Sequence, residues 1–296
     1  MAVYTLLLFT LVLIIYIVTI CGNCLIIILV NYSKILHSPM YFFLSQLSIS
    51  DIMLITAIAP NILHIVLHER TSVSFSGCMA QFYVYGTIEA FECYLLTVMS
   101  YDRYLAICSP LHYVSIMKQS LCIQLVLASW IFSCSISLIS TLEICQLEFC
   151  GLNVIDYLYC DLNPLLELSC SDTSTVLMES TLLCVPVLIF PFLVIVVSYT
   201  YIVLTILKMS SFSGRLKSFS TCSSHLTVVF LFYGTLIATY LIPKERKSGT
   251  ISKIMSFLYT VFTPFVNPFI YSLRNKEIKD SLKMYINKRI FIQNIW

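Results

Sequence analysis

The sequence predicts an all-α membrane protein, a seven-transmembrane helix bundle with a short amphipathic C-terminal helix. Three observations predict it. Hydrophobic residues make up 59% of the 296 and charged residues only 11%, whereas water-soluble domains carry about 25% charged residues. Seven apolar runs, at about 3–30, 40–66, 77–108, 121–142, 175–208, 218–242 and 250–273, each reach the roughly 20 residues that one helical crossing requires. The bases are also sided. Lys34, Arg103, Lys118, Lys208, Arg215, Lys217, Arg274, Lys276, Lys279, Lys283, Lys288 and Arg289 fall at one end of the runs, and only Arg70, Lys244, Arg246, Lys247 and Lys253 at the other. The basic end is expected to be cytoplasmic, which puts the N-terminus outside and the C-terminus inside. Alternating ten-residue stretches typical of a membrane barrel are absent, so residues 1–296 read as one polytopic domain.

The first run begins almost at Met1 and is expected to direct its own insertion without a cleavable signal peptide. Gly22-Asn23 lies at mid-membrane, where Asn23 seeks a hydrogen-bond partner on another helix and Gly22 lets that helix approach. Cys21 and Cys24 form a CxxC without the strand–helix context of redox chemistry. Asn31-Tyr32-Ser33 is a glycan sequon on the side where no glycosylation occurs. The second run opens at Pro39, carries Asp51 near its centre and is expected to kink at Pro60. A carboxylate at that depth needs a proton, a cation or a polar network. His64 and His68 stand four apart with no evident third metal ligand.

The third run starts at Cys78, carries Glu89 and Glu92, and ends in Met99-Ser100-Tyr101-Asp102-Arg103-Tyr104-Leu105-Ala106-Ile107-Cys108. The adjacent acid and base read as a latch: Arg103 is held by a carboxylate in one state and freed toward a partner in another. For the pair alone, an arginine snorkelling at a helix end is the plainer alternative. Glu92 lies eleven residues before Arg103, roughly 16 Å along the axis, at the depth of Asp51. Two carboxylates there suit a small hard cation such as Na⁺, completed by water and Ser or Thr oxygens. The alternative is an acid pair that shares a proton.

The segment from about 143 to 174 is the longest external connection and holds Cys145, Cys150, Cys160 and Cys170. An oxidising compartment favours disulfides there, with their connectivity open. The fifth run carries Pro186, Pro191 and Ser198-Tyr199, and a short basic loop at about 209–216 follows. The sixth run has a polar entry, Lys217-Ser218-Phe219-Ser220-Thr221-Cys222-Ser223-Ser224-His225-Leu226-Thr227, suited to helix sliding and to contact with a cytoplasmic partner. In the seventh, Pro268 removes a backbone donor and Asn267 is expected to rebond the freed carbonyls as a hinge. Beyond Arg274, Ile278, Leu282, Tyr285 and Ile286 recur among lysines, which predicts an amphipathic helix on the inner leaflet over about 274–290.

These residues resemble a family. Pro39-Met40-Tyr41-Phe42-Phe43-Leu44, the Met99–Cys108 run, the Lys217–His225 run and Pro268-Phe269-Ile270-Tyr271-Ser272-Leu273-Arg274-Asn275 together look like an olfactory (odorant) receptor of the rhodopsin-like, class A G-protein-coupled receptors. The resemblance implies disulfides Cys78–Cys160 and Cys150–Cys170, and a sodium site at Asp51 and Glu92. It implies activation roles for Asp102, Arg103, Tyr199, His225, Asn267, Pro268 and Tyr271, with no catalytic residue. It also implies a small-molecule odorant as ligand, a stimulatory olfactory-type heterotrimeric G protein that raises cyclic AMP, and a plasma-membrane location among lipids. Two features depart from the family pattern. An N-terminal tail with a glycan acceptor is missing from this sequence, and Glu89 puts an acid where an apolar ligand cavity is expected.

If the third run faces that cavity, helical spacing from Phe82 selects Tyr85, Gly86, Glu89, Ala90 and Cys93. The facing walls are expected from Leu183 and Val187, from Tyr233, Ile237 and Tyr240, and from Phe257 and Thr260. Such a set is mostly apolar with a few polar handles, as small-molecule sites usually are. Glu89 either pairs with an amine ligand or stays protonated and hydrogen-bonds to Tyr or Thr. No nucleophile–base arrangement, phosphate loop or zinc motif points to an enzyme, and nothing suggests nucleic acid. Membrane acids also mark transport pathways, but paired broken halves are not visible in this sequence.

Overall fold

A computed structural model describes residues 2–68, 73–150, 154, 155, 157–241 and 249–293. The helices are α1 (Ala2–Tyr32), α2 (Pro39–His68), α3 (Phe75–Cys108), α4 (Pro110–Ile116), α5 (Gln119–Cys145), α6 (Leu162–Leu168), α7 (Ser174–Cys184), α8 (Phe190–Lys208), α9 (Phe212–Leu241), α10 (Gly249–Phe257), α11 (Thr263–Arg274) and α12 (Lys276–Gln293). A π-helical turn, Val185–Ile189, fuses α7 to α8, and another, Leu258–Phe262, fuses α10 to α11. Each fused pair makes one crossing.

Six of these crossings are long and apolar enough to span a membrane: α1, α2, α5, α7–α8, α9 and α10–α11. The seventh is α3, 34 residues long. Its apolarity is diluted by Glu89, Glu92, Asp102 and Arg103, and the bundle can hold them because α3 runs through its middle, against α2, α5 and α8. A helix surrounded by protein can carry charge that a lipid-facing one cannot.

Several boundaries differ from the sequence expectation. α9 starts at Phe212, so the expected polar entry is already inside a helix and the inner loop shrinks to 209–211. α5 runs on to Cys145, and the loop after it contains its own short helix α6. Hydropathy marks where lipid ends, whereas a helix continues until its caps and turn residues stop it.

α1 packs on α11 through its mid-membrane pair. A Cβ on Gly22 would stand 3.0 Å from the Cβ of Pro268, so only glycine fits without a shift. Asn23 Nδ2 donates to the Pro264 carbonyl at 3.3 Å and to Thr19 at 3.1 Å. At the charged end, α12 folds back under α1 and α2. Its Ser281 hydroxyl meets Ser33 at 2.9 Å, and Tyr41 donates to Asn275 Oδ1 at 3.0 Å and to Glu277 at 2.5 Å. Ile278 is buried and Tyr285 packs edge-on to Tyr32, while Ile286, expected on the same apolar stripe, is exposed.

Candidate functional site

The half of the bundle covered by the loop between α5 and α7, called the outer half for its place under that loop, encloses a cavity of about 350 Å³. On its α3 wall stand Phe82, Gly86, Glu89, Ala90 and Cys93, at the helical spacing read from the sequence. Leu183 and Val187 face them from the fifth crossing. Tyr85 is buried beside the cavity, its ring 5.0 Å from that of Tyr159 and its hydroxyl accepting from Tyr159 at 3.5 Å.

The sixth and seventh crossings present different residues from those expected. Leu236 lines the cavity, whereas Ile237 points outward with 40% of its surface exposed. Tyr259 lines it, whereas Thr260 is fully buried and donates to the Ser256 carbonyl at 2.7 Å. Tyr233 is buried against Phe192, and Phe257 is half-buried against the core; neither is among the cavity's lining residues. The Tyr240 side chain lies outside the described residues. One residue of helix is 100° of rotation, and the π turn at Leu258–Phe262 shifts the phase where the seventh crossing meets the cavity.

Sequence spacing missed the α5 wall altogether. Ile136, Ser137 and Ser140 complete the cavity, joined by Ser180, Thr181 and Cys184 of α7. Ser129, Ser133, Ser137 and Thr141 recur every four residues along the buried face of α5, a small polar stripe that could have marked this helix as a wall. Glu89 contributes a buried Oε1 with no hydrogen-bond partner among the described residues, with the Tyr85 and Tyr259 hydroxyls beside it.

The outer loop closes the top. Cys160 is bonded to Cys78 at the head of α3, Cα–Cα 5.5 Å, and Cys150 to Cys170, Cα–Cα 5.8 Å. Cys145 is a free thiol. The Cys160 amide donates to Gln81 Oε1 at 3.0 Å, and Tyr157 hydrogen-bonds Ser256 of α10. These ties hold Leu162 and Asn163 over the cavity. Asp161 caps α6 by accepting from the Leu162 amide at 2.8 Å, and burial pushes its carboxyl up to about 6.

The inner half is a chain of buried polar contacts. Asn267 Nδ2 donates to both oxygens of Asp51, each at 3.1 Å. The sequence expectation had Asn267 rebonding carbonyls freed by Pro268; the carboxylate across the helix interface is the stronger acceptor and takes the donor instead. Ser50 donates to Glu92 Oε1 at 3.0 Å. Further in, the Tyr199 hydroxyl and His225 Nδ1 share a hydrogen bond of 2.6 Å with their rings stacked, tying α8 to α9. Tyr271 is buried between these two groups of residues, 1% exposed. Arg103 forms an ion pair with Asp102, whose other oxygen accepts from Tyr113 of α4 at 2.8 Å. Burial and the Asp102 charge hold the Tyr113 hydroxyl above its ordinary range. The arginine is therefore held, not snorkelling, and only 9% exposed.

His64 and His68 stack at 4.4 Å, and among the described residues no three His, Cys, Asp or Glu side chains cluster as metal ligands.

Residues 12–289 match the family model described as olfactory receptor. The chain is 46% identical over 287 residues to olfactory receptor 5P60 of Mus musculus, covering 97% of this chain and 89% of the relative. It is 44% identical over 274 residues to olfactory receptor 1468 of Rattus norvegicus, covering 93% and 87%. Olfactory receptor 10A7 of Homo sapiens is 44% identical over 276 residues, covering 93% and 87%.

Proposed function

This chain belongs to the olfactory receptor family, and on that premise we propose that it binds a small, mostly apolar odorant in the outer cavity and activates a stimulatory olfactory-type heterotrimeric G protein, raising cyclic AMP. It is a multi-pass membrane protein and a receptor, not an enzyme. The reading places it in the plasma membrane with the cavity outside and the Asp102–Arg103 end facing the G protein. The supporting observation is that one helix joins both parts. α3 carries the cavity wall at Gly86, Glu89 and Ala90 and, four turns on, the paired Asp102 and Arg103. A ligand that moves α3 against α8 and α9 shifts the Asp102–Arg103 pair relative to the Tyr199–His225 tie between those two helices.

Amines are a second class of ligand, favoured by one observation: Glu89 lines the cavity and its buried Oε1 has no hydrogen-bond partner among the described residues. An ammonium ligand supplies both the charge and the donor that this oxygen lacks.

The acids deeper in α2 and α3 suit an allosteric Na⁺. Asp51 and Glu92 supply hard oxygens, and Ser48 Oγ and Asn267 Oδ1 are buried without partners among the described residues. A bound cation would neutralise charge at this depth. Ser50 and Asn267 orient the two carboxylates for it.

Cyclic AMP measured in cells that display the chain with an added N-terminal trafficking tag, against a small-molecule panel that includes amines, tests the reading. Responses lost in Arg103→Ala at equal surface display are expected. Glu89→Gln is expected to lower amine potency by at least tenfold and to spare neutral odorants. Amine potency unchanged in that variant sinks the amine class, and silence to every ligand with confirmed display counts against the receptor reading.

A further inference from the structure

A second cavity, about 600 Å³, opens at the opposite end of the bundle, between α1, α2 and the start of α5. An apolar strip of Ile27, Val30, Phe42 and Ile49 runs along its wall, interleaved with Asn31, Ser45 and Gln46, and its mouth is polar, with His37 and Gln119. It lies far from the odorant cavity and shares no residue with it.

The charge around it is one-sided. Lys34 stands in the turn that also supplies Leu36 and His37 to the wall, and Lys118 lies between the wall residues Met117 and Gln119; both lysines are exposed. No Asp or Glu occurs in residues 1–50 or 104–142, the segments that build the cavity. The acids nearest by packing are all engaged or flanked by bases: Asp102, beside the wall residue Cys122, is held by Arg103 and Tyr113, Glu277 of α12 is engaged by Tyr41, and Asp280 is flanked along the helix by Lys279 and Lys283. The first turn of α5 also has no side-chain cap, so its amide groups add to the positive field at the mouth.

We propose that this cavity is a binding site for one anionic glycerophospholipid of the surrounding leaflet, its acyl chain along Ile27, Val30 and Phe42 and its headgroup at Lys34 and Lys118. The geometry matches an amphiphile: an apolar strip along Ile27, Val30, Phe42 and Ile49, and a basic mouth at the turns that join α1 to α2 and α4 to α5. A neutral sterol would fill the depth but leave both lysines unused. Anionic headgroups are drawn to juxtamembrane lysines, and each lysine near the surface adds about a fivefold preference.

The test uses the purified full chain in detergent and needs neither an odorant response nor a known membrane orientation, so its failure is separate from failure of the receptor reading. Native mass spectrometry after addition of equimolar phosphatidylserine, phosphatidylcholine and cholesterol reads which lipid stays bound. The wild type is expected to retain phosphatidylserine over phosphatidylcholine on the order of tenfold. The double variant Lys34→Gln/Lys118→Gln is expected to lose that preference. Lys208→Gln, a charge change at the same end on α8, is expected to keep it. Ser45→Phe, which fills the cavity, is expected to lower retention of lipid altogether. Equal retention of the two phospholipids by the wild type, an unchanged preference in the double variant, an equal loss in Lys208→Gln, or displacement of phosphatidylserine by cholesterol would each overturn the proposal.

Discussion

The outer and inner halves of this bundle are built on the same helices but packed in opposite ways. In the outer half α3 presents Gly86, Ala90 and Cys93 to a cavity, opposite Ser137 and Ser140 of α5. Within the next two turns the same helix presents Leu95, Leu96 and Met99, each fully buried. Around α3 the outer half is thus hollow and held by its covering loop, whereas the inner half is close-packed there, its own cavity lying to the side between α1, α2 and α5, and is laced with polar contacts from Asp51 to Asp102. The difference teaches where each half draws its stability: chain constraint outside, buried hydrogen bonds and packing inside.

The strongest test of that contrast is the loop. Cys160→Ser removes the bond that closes an 82-residue separation and is expected to cost about 2–5 kcal/mol. Cys150→Ser, across only 20 residues, is expected to cost less. Thermal unfolding of the purified receptor in detergent measures both. Equal losses would mean that the outer half is not held chiefly by chain constraint.

A smaller effect is expected inside. Asn267→Ala takes away both hydrogen bonds to the Asp51 carboxylate and should lower stability by about 1.5–3 kcal/mol. In an Asp51→Asn background the same change should cost much less, because one of the two acceptor oxygens is already gone. An undiminished cost there would show that Asn267 acts through something other than Asp51.

The smallest effect is a pH dependence confined to the outer loop. The Asp161 carboxyl is raised in the fold to about 6 from 3.8. A raised acid contributes its stability below the unfolded value and loses it as pH rises through the folded one. The Asp161-dependent part of the melting temperature, wild type minus Asp161→Asn, should therefore fall between about pH 4 and 6. A flat difference would mean that the loop does not bury this carboxyl as tightly as its cap position implies.

Some of this was legible beforehand and some was not, for reasons that lie in particular residues. The cavity face of α3 followed from spacing because α3 is an uninterrupted helix from Phe75 to Cys108. Leu236 and Tyr259 stand where their neighbours Ile237 and Thr260 were expected, since a single-residue error in helical phase exchanges a lining side chain for a buried or lipid-facing one. The polar stripe of α5 went unread because Ser137 and Ser140 carry no charge to mark them in a lipid-buried run.

By itself the sequence determined the apolar crossings and the acids and bases that cannot rest in lipid. Those are local properties, fixed by what a bilayer tolerates at each depth. Only the tertiary structure decided which partner each polar group takes: Asn267 on Asp51 rather than on its own backbone, Arg103 on Asp102 with Tyr113 behind it, and α5 as a wall of the cavity. Partner choice depends on helix rotation and depth relative to neighbours far along the chain, and no single segment contains that information.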